Sequence, residues 1–188
     1  MPFNKVRIRD DDVLVHSSQW EDPFKRFRGF HNVVCQDTEH FIHVAAILCT
    51  EISAFPEAID FIKAEVTAGR MEAQIHGWKH IDYGQLIRGD VKHHLGRCFE
   101  FFLENDLPTP TIFYTPWGAS QRHLHDVAEE MGLRLVDTSG IIHPGQASDK
   151  LKIDSDTLFF EGKEILRHWW EGCGSLNEFI QLYQKLCS

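Results

Sequence analysis

The hydrophobic positions of the chain follow two periods that alternate along its length. Alternating or continuous apolar stretches of strand length fall at residues 5–10, 40–48, 71–75, 111–114, 133–136, 158–160 and 164–166. Longer stretches carry apolar residues three and four positions apart, which predicts helices over 55–69, 86–103, 120–131 and 176–186. Ser120 is the predicted N-cap of the third helix. Strands that alternate with helices indicate βαβ units, so we predict an α/β fold with a mostly parallel sheet.

Two long segments interrupt this alternation and are predicted to be loops, residues 14–32 and 139–156. Both are polar and rich in glycine, proline or aromatic residues. In an α/β fold, long loops at the carboxyl ends of the strands usually shape the functional site. No internal repeat or clear domain boundary interrupts the pattern, so we expect a single domain over residues 1–188.

Composition excludes several classes of function. No apolar run approaches the ~20 residues that a membrane span needs, so we expect no membrane partner. Nineteen Lys and Arg against 28 Asp and Glu give a net charge of −9, which disfavours a nucleic-acid partner. The five cysteines include no Cys-x-x-Cys pair, which argues against a disulfide framework or a thiolate zinc site. The N-terminus has no apolar signal core, so we expect a cytoplasmic protein.

Two clusters of metal-binding side chains each follow a predicted strand. Asp10-Asp11-Asp12 ends the first strand, and three adjacent acids repel one another unless a counter-charge such as a divalent cation offsets them. His76 and His80 follow the third strand. Their spacing of four places both on one face of a helical turn, from which both imidazoles reach a single metal.

Two further clusters follow later strands. The turn Pro116-Trp117-Gly118 could present backbone N–H groups to a developing oxyanion. His168 ends the last predicted strand and could serve as a general acid or base. Trp169 and Trp170 beside it could stack on a sugar or pack in the core. Carboxyl ends of parallel strands share one edge of a sheet, so all four clusters should converge on one site.

The order of these motifs resembles the polysaccharide deacetylases of the NodB-homology class over residues 6–168. That family shows an acid pair, His-x-x-x-His, Arg-x-Pro-aromatic-Gly, a later Asp and a late Leu-x-His. The counterparts in this chain are Asp11-Asp12, His76 with His80, 114–118, Asp137 and 166–168. The resemblance implies a distorted (β/α) barrel of NodB type with fewer than eight regular repeats. It also implies hydrolysis of an N-acetyl group on a sugar, with one divalent metal, usually zinc.

The resemblance assigns a metal centre and a base. Asp12, His76 and His80 would hold the metal, and Asp11 would be the base that activates the attacking water. The acid pair could instead be Asp10 with Asp11. The pair Asp11 and Asp12 is preferred because it keeps Asp10 on the same side of the strand as the apolar residues. A site of two histidines and one carboxylate admits zinc, cobalt, nickel or manganese.

The resemblance also assigns the remaining catalytic and substrate-binding residues. The backbone N–H of Trp117 would stabilise the oxyanion, and His168 would protonate the leaving amine. The residues expected to contact the acetylated carbohydrate are Tyr114, Pro116, Trp169 and Trp170.

One position departs from the family pattern. The arginine that precedes the Pro-aromatic-Gly turn, and that orients the base carboxylate, is Tyr114 here. A tyrosine donates one hydrogen bond but carries no positive charge, and Arg9 or Lys79 could take its place.

Three functions fit these residues. A metal-dependent N-deacetylase of a carbohydrate or glycoconjugate is the preferred hypothesis. The alternatives are another metal-dependent amide or ester hydrolase on the same fold and a non-catalytic sugar-binding protein. The identity of the sugar and the oligomeric state are left open.

Overall fold

A parallel sheet organises the part of the chain that the computed structural model describes, which is residues 6–14, 17–19, 21–136 and 164–166. Its six strands are β1 (Val6–Asp10), β2 (Phe41–Leu48), β3 (Met71–Gly77), β4 (Ile112–Tyr114), β5 (Arg134–Val136) and β6 (Glu164–Leu166). They lie in the order β5-β4-β3-β2-β1-β6, and every neighbouring pair is parallel. The prediction of a mostly parallel α/β sheet is therefore confirmed.

Helices connect the strands within the described ranges. They are α1 (Pro23–Val34), α2 (Cys49–Ile52), α3 (Pro56–Thr67), α4 (Arg88–Glu104) and α5 (Arg122–Glu130). Short 3-10 turns lie at Ser17–Gln19, Cys35–Asp37, Tyr83–Gln85 and Pro116–Gly118. No helix in these ranges is both long enough and apolar enough to cross a bilayer.

The two faces of the sheet bury different side chains. Ala45, Ile47, Ile75, Phe113 and Leu135 share one large apolar core with the buried faces of the helices. The opposite, inner face carries a smaller cluster made of Val44, Ala46, Ile112, Tyr114 and Val136. Strand β2 is buried on both faces, which explains why its sequence is a nearly continuous apolar run.

The sheet curls so that its inner face becomes concave. Strands β1 and β4 are separated by β2 and β3, which would place them about 14 Å apart in a flat sheet. Nevertheless the guanidinium carbon of Arg9 on β1 lies 4.3 Å from the centre of the Tyr114 ring on β4. The curl therefore brings side chains from the two strands together above the inner face.

Two predictions made from the sequence, for segment 14–32 and for Ser120, are wrong. The composition of segment 14–32 predicts a loop, but helix α1 begins at Pro23. The Asp22 carboxylate caps it by accepting a hydrogen bond from the Lys25 N–H at 2.9 Å. Helix α5 begins at Arg122 with Gln121 at its N-cap, so Ser120 is not the cap. The elements predicted at 158–160 and 176–186, and the loop predicted at 139–156, lie outside the described residues.

The side chain of Gln74 joins β3 to β4. Its Oε1 accepts hydrogen bonds from the backbone N–H groups of Thr111 and Ile112, each at 3.0 Å. Gln74 is buried, so water is a poor substitute for this oxygen. The contact fixes the start of β4, the strand that leads into the 114–118 turn.

We expect Gln74→Leu to lower the free energy of unfolding by about 2 kcal/mol, because two N–H groups lose their acceptor. Gln74→Glu keeps an acceptor oxygen and should cost less. Urea denaturation of both variants measures the difference. An equal loss in the two variants would contradict the proposed role of this oxygen.

Candidate metal centre

Asp12, His76 and His80 come together beyond the carboxyl ends of β1 and β3. Asp12 Oδ1 lies 3.0 Å from His76 Nε2 and 3.0 Å from His80 Nε2. One ligand atom from each residue lies within 4.8 Å of the other two. Two imidazoles and one carboxylate form a donor set that suits zinc and several other divalent ions. The structure therefore brings together the three predicted metal ligands.

A backbone hydrogen bond orients His76. Its Nδ1 lies 2.9 Å from the backbone oxygen of Tyr114. A carbonyl oxygen only accepts, so Nδ1 carries the proton and Nε2 presents a lone pair towards Asp12. His76 Nε2 is buried, and the polar atom that faces it is Asp12 Oδ1, 3.0 Å away. A lone pair held against a carboxylate is unfavourable, and a cation between them relieves the repulsion, so these residues fit a divalent metal.

The charges of the cluster shift its titration. Burial disfavours the charged form of His76, but the carboxylates of Asp11 and Asp12 outweigh it and raise the pKa of His76 above its ordinary value. Burial likewise opposes ionisation of Asp12, but hydrogen bonding to His76 and His80 holds the pKa of Asp12 well below its usual range. A proton therefore competes with a metal for His76 more strongly than for an ordinary histidine.

His80 reaches the site from a loop, not from the predicted helical turn. His76 is still part of β3, and the strand ends at Gly77, whose φ is 147°. The Tyr83 hydroxyl accepts a hydrogen bond from the Trp78 N–H at 2.8 Å. The Trp78 carbonyl accepts from the N–H and the hydroxyl of Thr50, at 3.1 and 2.8 Å. These bonds fix the start of the loop that carries His80.

The three consecutive acids point in different directions. Asp10 faces the helix side of the sheet, where its Oδ2 lies 3.8 Å from His43 Nε2. Asp11 lies on the inner face, and its Oδ2 is 2.7 Å from Arg9 Nη2. Asp12 has a φ of 58°, a left-handed conformation that aspartate tolerates better than most residues, and it turns towards the histidines. Of the three acids, Asp12 alone lies beside both His76 and His80.

Trp117 lies at the edge of the metal centre. Its ring is 4.7 Å from the His80 ring, measured between centroids, and the residue is 72% exposed. Its φ is 59°, and the turn uses the N–H groups of Gly118 and Ala119 for its own hydrogen bonds. The exposed indole thus borders the site on the solvent side.

The structure differs from the expected substrate contacts at two positions. Tyr114 and Pro116 are buried. Tyr114 instead contacts two residues of the site from within the protein: its carbonyl oxygen orients His76, and its ring lies against Arg9. The other residues proposed from the sequence for catalysis or substrate contact, Asp137, His168, Trp169 and Trp170, lie outside the described residues.

Sequence reasoning missed Thr50 and Tyr83, which hold the His80 loop. Neither belongs to a motif, because they act through bonds to the backbone of Trp78 from two other segments. Gly77 did carry a signal. A glycine directly after a histidine at the end of a strand is typical of a sharp change in chain direction.

The family model for polysaccharide deacetylase matches residues 42–136, just over half of the 188-residue chain. The chain belongs to the polysaccharide deacetylase family, and the predicted resemblance is confirmed. No curated protein sequence matches the chain.

Solved structures of the family 4 carbohydrate esterases share the fold. A family 4 carbohydrate esterase from Streptomyces lividans, in complex with acetate, superposes with a TM-score of 0.66 at 18% identity, covering 99% of this chain and 88% of the other. A chitin deacetylase from the fungal pathogen Colletotrichum lindemuthianum gives a TM-score of 0.66 at 13% identity, with 96% and 80% covered. A family 4 pseudoenzyme from Bacillus anthracis gives 0.61 at 12% identity, with 98% and 63% covered. The prediction of a distorted NodB-type barrel is confirmed.

Replacing Gly77 should damage the metal centre more than the fold. A Cβ at this position would lie 2.8 Å from the Tyr83 hydroxyl, and the positive φ disfavours any side chain. We expect Gly77→Ala to weaken zinc binding at least about ten-fold, because the His80 loop must shift. Competition with a chelating dye, on untagged protein, measures the affinity.

Gly96→Ala in helix α4 is the matched control, since a methyl group added there would have no atom within 4 Å apart from its chain neighbours and the backbone of its own helix. It should leave zinc binding unchanged and stabilise the protein by about 0.5–1 kcal/mol. Unaltered zinc affinity in Gly77→Ala would contradict the role given to this glycine.

Zinc affinity should fall as pH decreases, because zinc binds the unprotonated form of His76. The raised pKa of His76 means that this loss begins at a higher pH than for an unperturbed histidine. Calorimetric titration with zinc between about pH 6 and 8 tests the sign and the position of the change. An affinity that is constant across this range would contradict the interpretation.

Proposed function

We propose that the protein is a metal-dependent hydrolase that removes an N-acetyl group from a carbohydrate or glycoconjugate. The observation that carries this proposal is the arrangement of two neighbouring carboxylates with different partners. Asp12 faces two histidines, whereas Asp11 is paired with Arg9. Metal-assisted hydrolysis needs both a ligand and a base at one centre.

Asp12, His76 and His80 would hold one divalent ion, with zinc preferred and cobalt, nickel or manganese as alternatives. When bound, such an ion polarises an acetyl carbonyl and lowers the pKa of water. The side chain that takes the proton from the attacking water is Asp11, whose carboxylate is held in place on the inner face. Water then adds to the acetyl carbon.

The remaining steps use residues around this centre. The backbone N–H of Trp117, whose ring lies 4.7 Å from the His80 ring, donates to the oxyanion that forms on the acetyl oxygen. The carbon–nitrogen bond breaks, and His168 gives a proton to the departing amine nitrogen. Trp169, Trp170 and the exposed Trp117 indole offer flat surfaces for a sugar ring. The products are acetate and a free amino sugar.

A non-catalytic sugar-binding protein is the second candidate. Two observations favour it: Tyr114 stands where the family pattern has an arginine, and the Bacillus anthracis pseudoenzyme shares the fold. The buried pair of Asp11 and Arg9 favours catalysis, because the base and a cation beside it are both present.

The test is acetate release from N-acetylglucosamine oligomers by untagged protein loaded with zinc or cobalt. We expect turnover that chelation abolishes and metal restores. Asp11→Asn should lower kcat by about 10²–10⁴-fold while still binding one metal ion per chain. His76→Ala with His80→Ala should lose both the metal and the activity.

Asp106→Asn is the matched control, since Asp106 also pairs with a cation, Lys63, but is exposed at the surface. It should leave acetate release unchanged. Saturable sugar binding without acetate release, unaffected by Asp11→Asn, would instead establish the sugar-binding protein.

A further inference from the structure

Arg9 and Asp11 form a buried ion pair on the inner face of the sheet. Residues two apart on a strand share one face, so the guanidinium and the carboxylate project from the end of β1 in the same direction. Arg9 Nη2 lies 2.7 Å from Asp11 Oδ2, and the Arg9 side chain is only 1% exposed. A charge-assisted hydrogen bond of this length, shielded from water, restricts the carboxylate to a narrow range of orientations.

The side chain of Tyr114 contacts Arg9 and restricts its position. The guanidinium carbon of Arg9 lies 4.3 Å from the centre of the Tyr114 ring, within the range of a cation–π contact. The Tyr114 hydroxyl accepts a hydrogen bond from Arg7 Nη2 at 3.2 Å, and Arg7 Nη1 lies 2.5 Å from Glu72 Oε2. The ring is therefore held at its hydroxyl end and supports Arg9 with its face.

The surroundings of Asp11 explain why it needs this partner. Asp10 and Asp12 flank it in sequence, and all three residues are buried. Three carboxylates out of water repel one another, and a nearby cation is required to keep the middle one in place. Lys79, the other residue that the sequence allowed for this task, forms no ion pair or hydrogen bond with Asp11 in the described part of the chain.

We propose that Arg9 is the positioning residue for the Asp11 carboxylate, with Tyr114 as the surface against which its guanidinium is held. The cation thus comes from β1, two residues before the base, and not from the β4 position that Tyr114 occupies. This proposal rests on the proposed function, because it requires Asp11 to be the base. Arg9 touches the base and not the substrate, so its removal should affect kcat more than KM.

The first test compares Arg9→Ala with Lys79→Ala, which removes the exposed cation that the sequence also allowed for this task. Arg9→Ala should lower kcat for acetate release by about 10²-fold, with KM changed less than about three-fold and one metal ion still bound. Lys79→Ala should keep kcat within about three-fold of the wild type.

Added guanidinium chloride distinguishes a positioning role from a purely structural one. At tens of millimolar, guanidinium should raise kcat of Arg9→Ala at least about five-fold with saturation, because a free cation refills the vacated place. Urea at the same concentration has a similar shape without charge and should give no rescue. A kcat of Arg9→Ala within three-fold of the wild type, or equal effects of urea and guanidinium, overturns the proposal.

A double-mutant cycle in urea unfolding tests the pair without any activity. In the wild type, Asp11→Asn should lower the urea midpoint. In Arg9→Ala it should raise the midpoint, because it removes a buried carboxylate that has lost its cation. The same change in both backgrounds overturns the proposal. Arg9→Gln, which keeps most of the side-chain length, takes the place of Arg9→Ala in every test if the alanine variant does not fold.

The two proposals fail in different ways. Wild-type protein that binds metal but releases no acetate contradicts the hydrolase, and the unfolding cycle alone then decides whether Arg9 holds Asp11. Wild-type turnover without coupling between the two residues contradicts the role of Arg9 and leaves the hydrolase intact.

Discussion

The structure around the site depends on the burial of three consecutive carboxylates at the end of β1. Water cannot stabilise them there, so each must find its own compensation within the protein. The alternation of a strand sends Asp10 and Asp11 to opposite faces, and the left-handed backbone of Asp12 turns the third acid in another direction. Three acids that would repel one another side by side are thus distributed over three separate environments.

The environment of Asp10 is a chain of polar groups beneath helix α1. His31 Nδ1 lies 3.0 Å from His43 Nδ1, and His31 Nε2 lies 3.0 Å from Glu65 Oε2, which Arg70 also contacts at 2.6 Å. Burial lowers the pKa of both histidines, and the neighbouring His31 adds to this effect at His43. Both rings are therefore neutral at ordinary pH.

The carboxylate of Glu65 only accepts, so His31 donates from Nε2 and accepts at Nδ1 from His43. His43 Nε2 then presents a lone pair to Asp10, which accounts for a separation of 3.8 Å, longer than a hydrogen bond. This arrangement carries no net positive charge to Asp10. On the inner face, by contrast, the Arg9 guanidinium meets the Asp11 carboxylate.

How far the sequence predicts this site depends on how local each cause is. Strand and helix periods depend on neighbouring residues, and they predict most of the described elements within a few positions. This reasoning does not predict helix α1, because the polar and aromatic composition of its segment resembles that of a loop. Asp22 and Pro23 nevertheless form a standard signal for the start of a helix. The approach of His80 depends on Thr50 and Tyr83, which come from two other segments. No periodicity could predict those bonds.

The choice between Arg9 and Lys79 as the partner of Asp11 illustrates the same limit. Both cations are close in sequence to a predicted site residue, and charge alone does not separate them. The curl of the sheet favours Arg9, because it brings β4 over β1 and places the Tyr114 ring against the Arg9 guanidinium. A contact between β1 and β4 is a property of four strands taken together.

The pair of Arg9 and Asp11 also bears on whether the protein is a catalyst or a sugar-binding relative of one. A buried ion pair adds little stability compared with apolar side chains of similar volume, because both charges must leave water. The inner face already holds an apolar cluster that includes Val44 and Ile112, so more apolar side chains would fit its surroundings. Stability alone therefore does not account for an arginine and an aspartate here. A carboxylate held beside a candidate metal site is what proton transfer from water requires, and this supports the proposal that the chain is a catalyst.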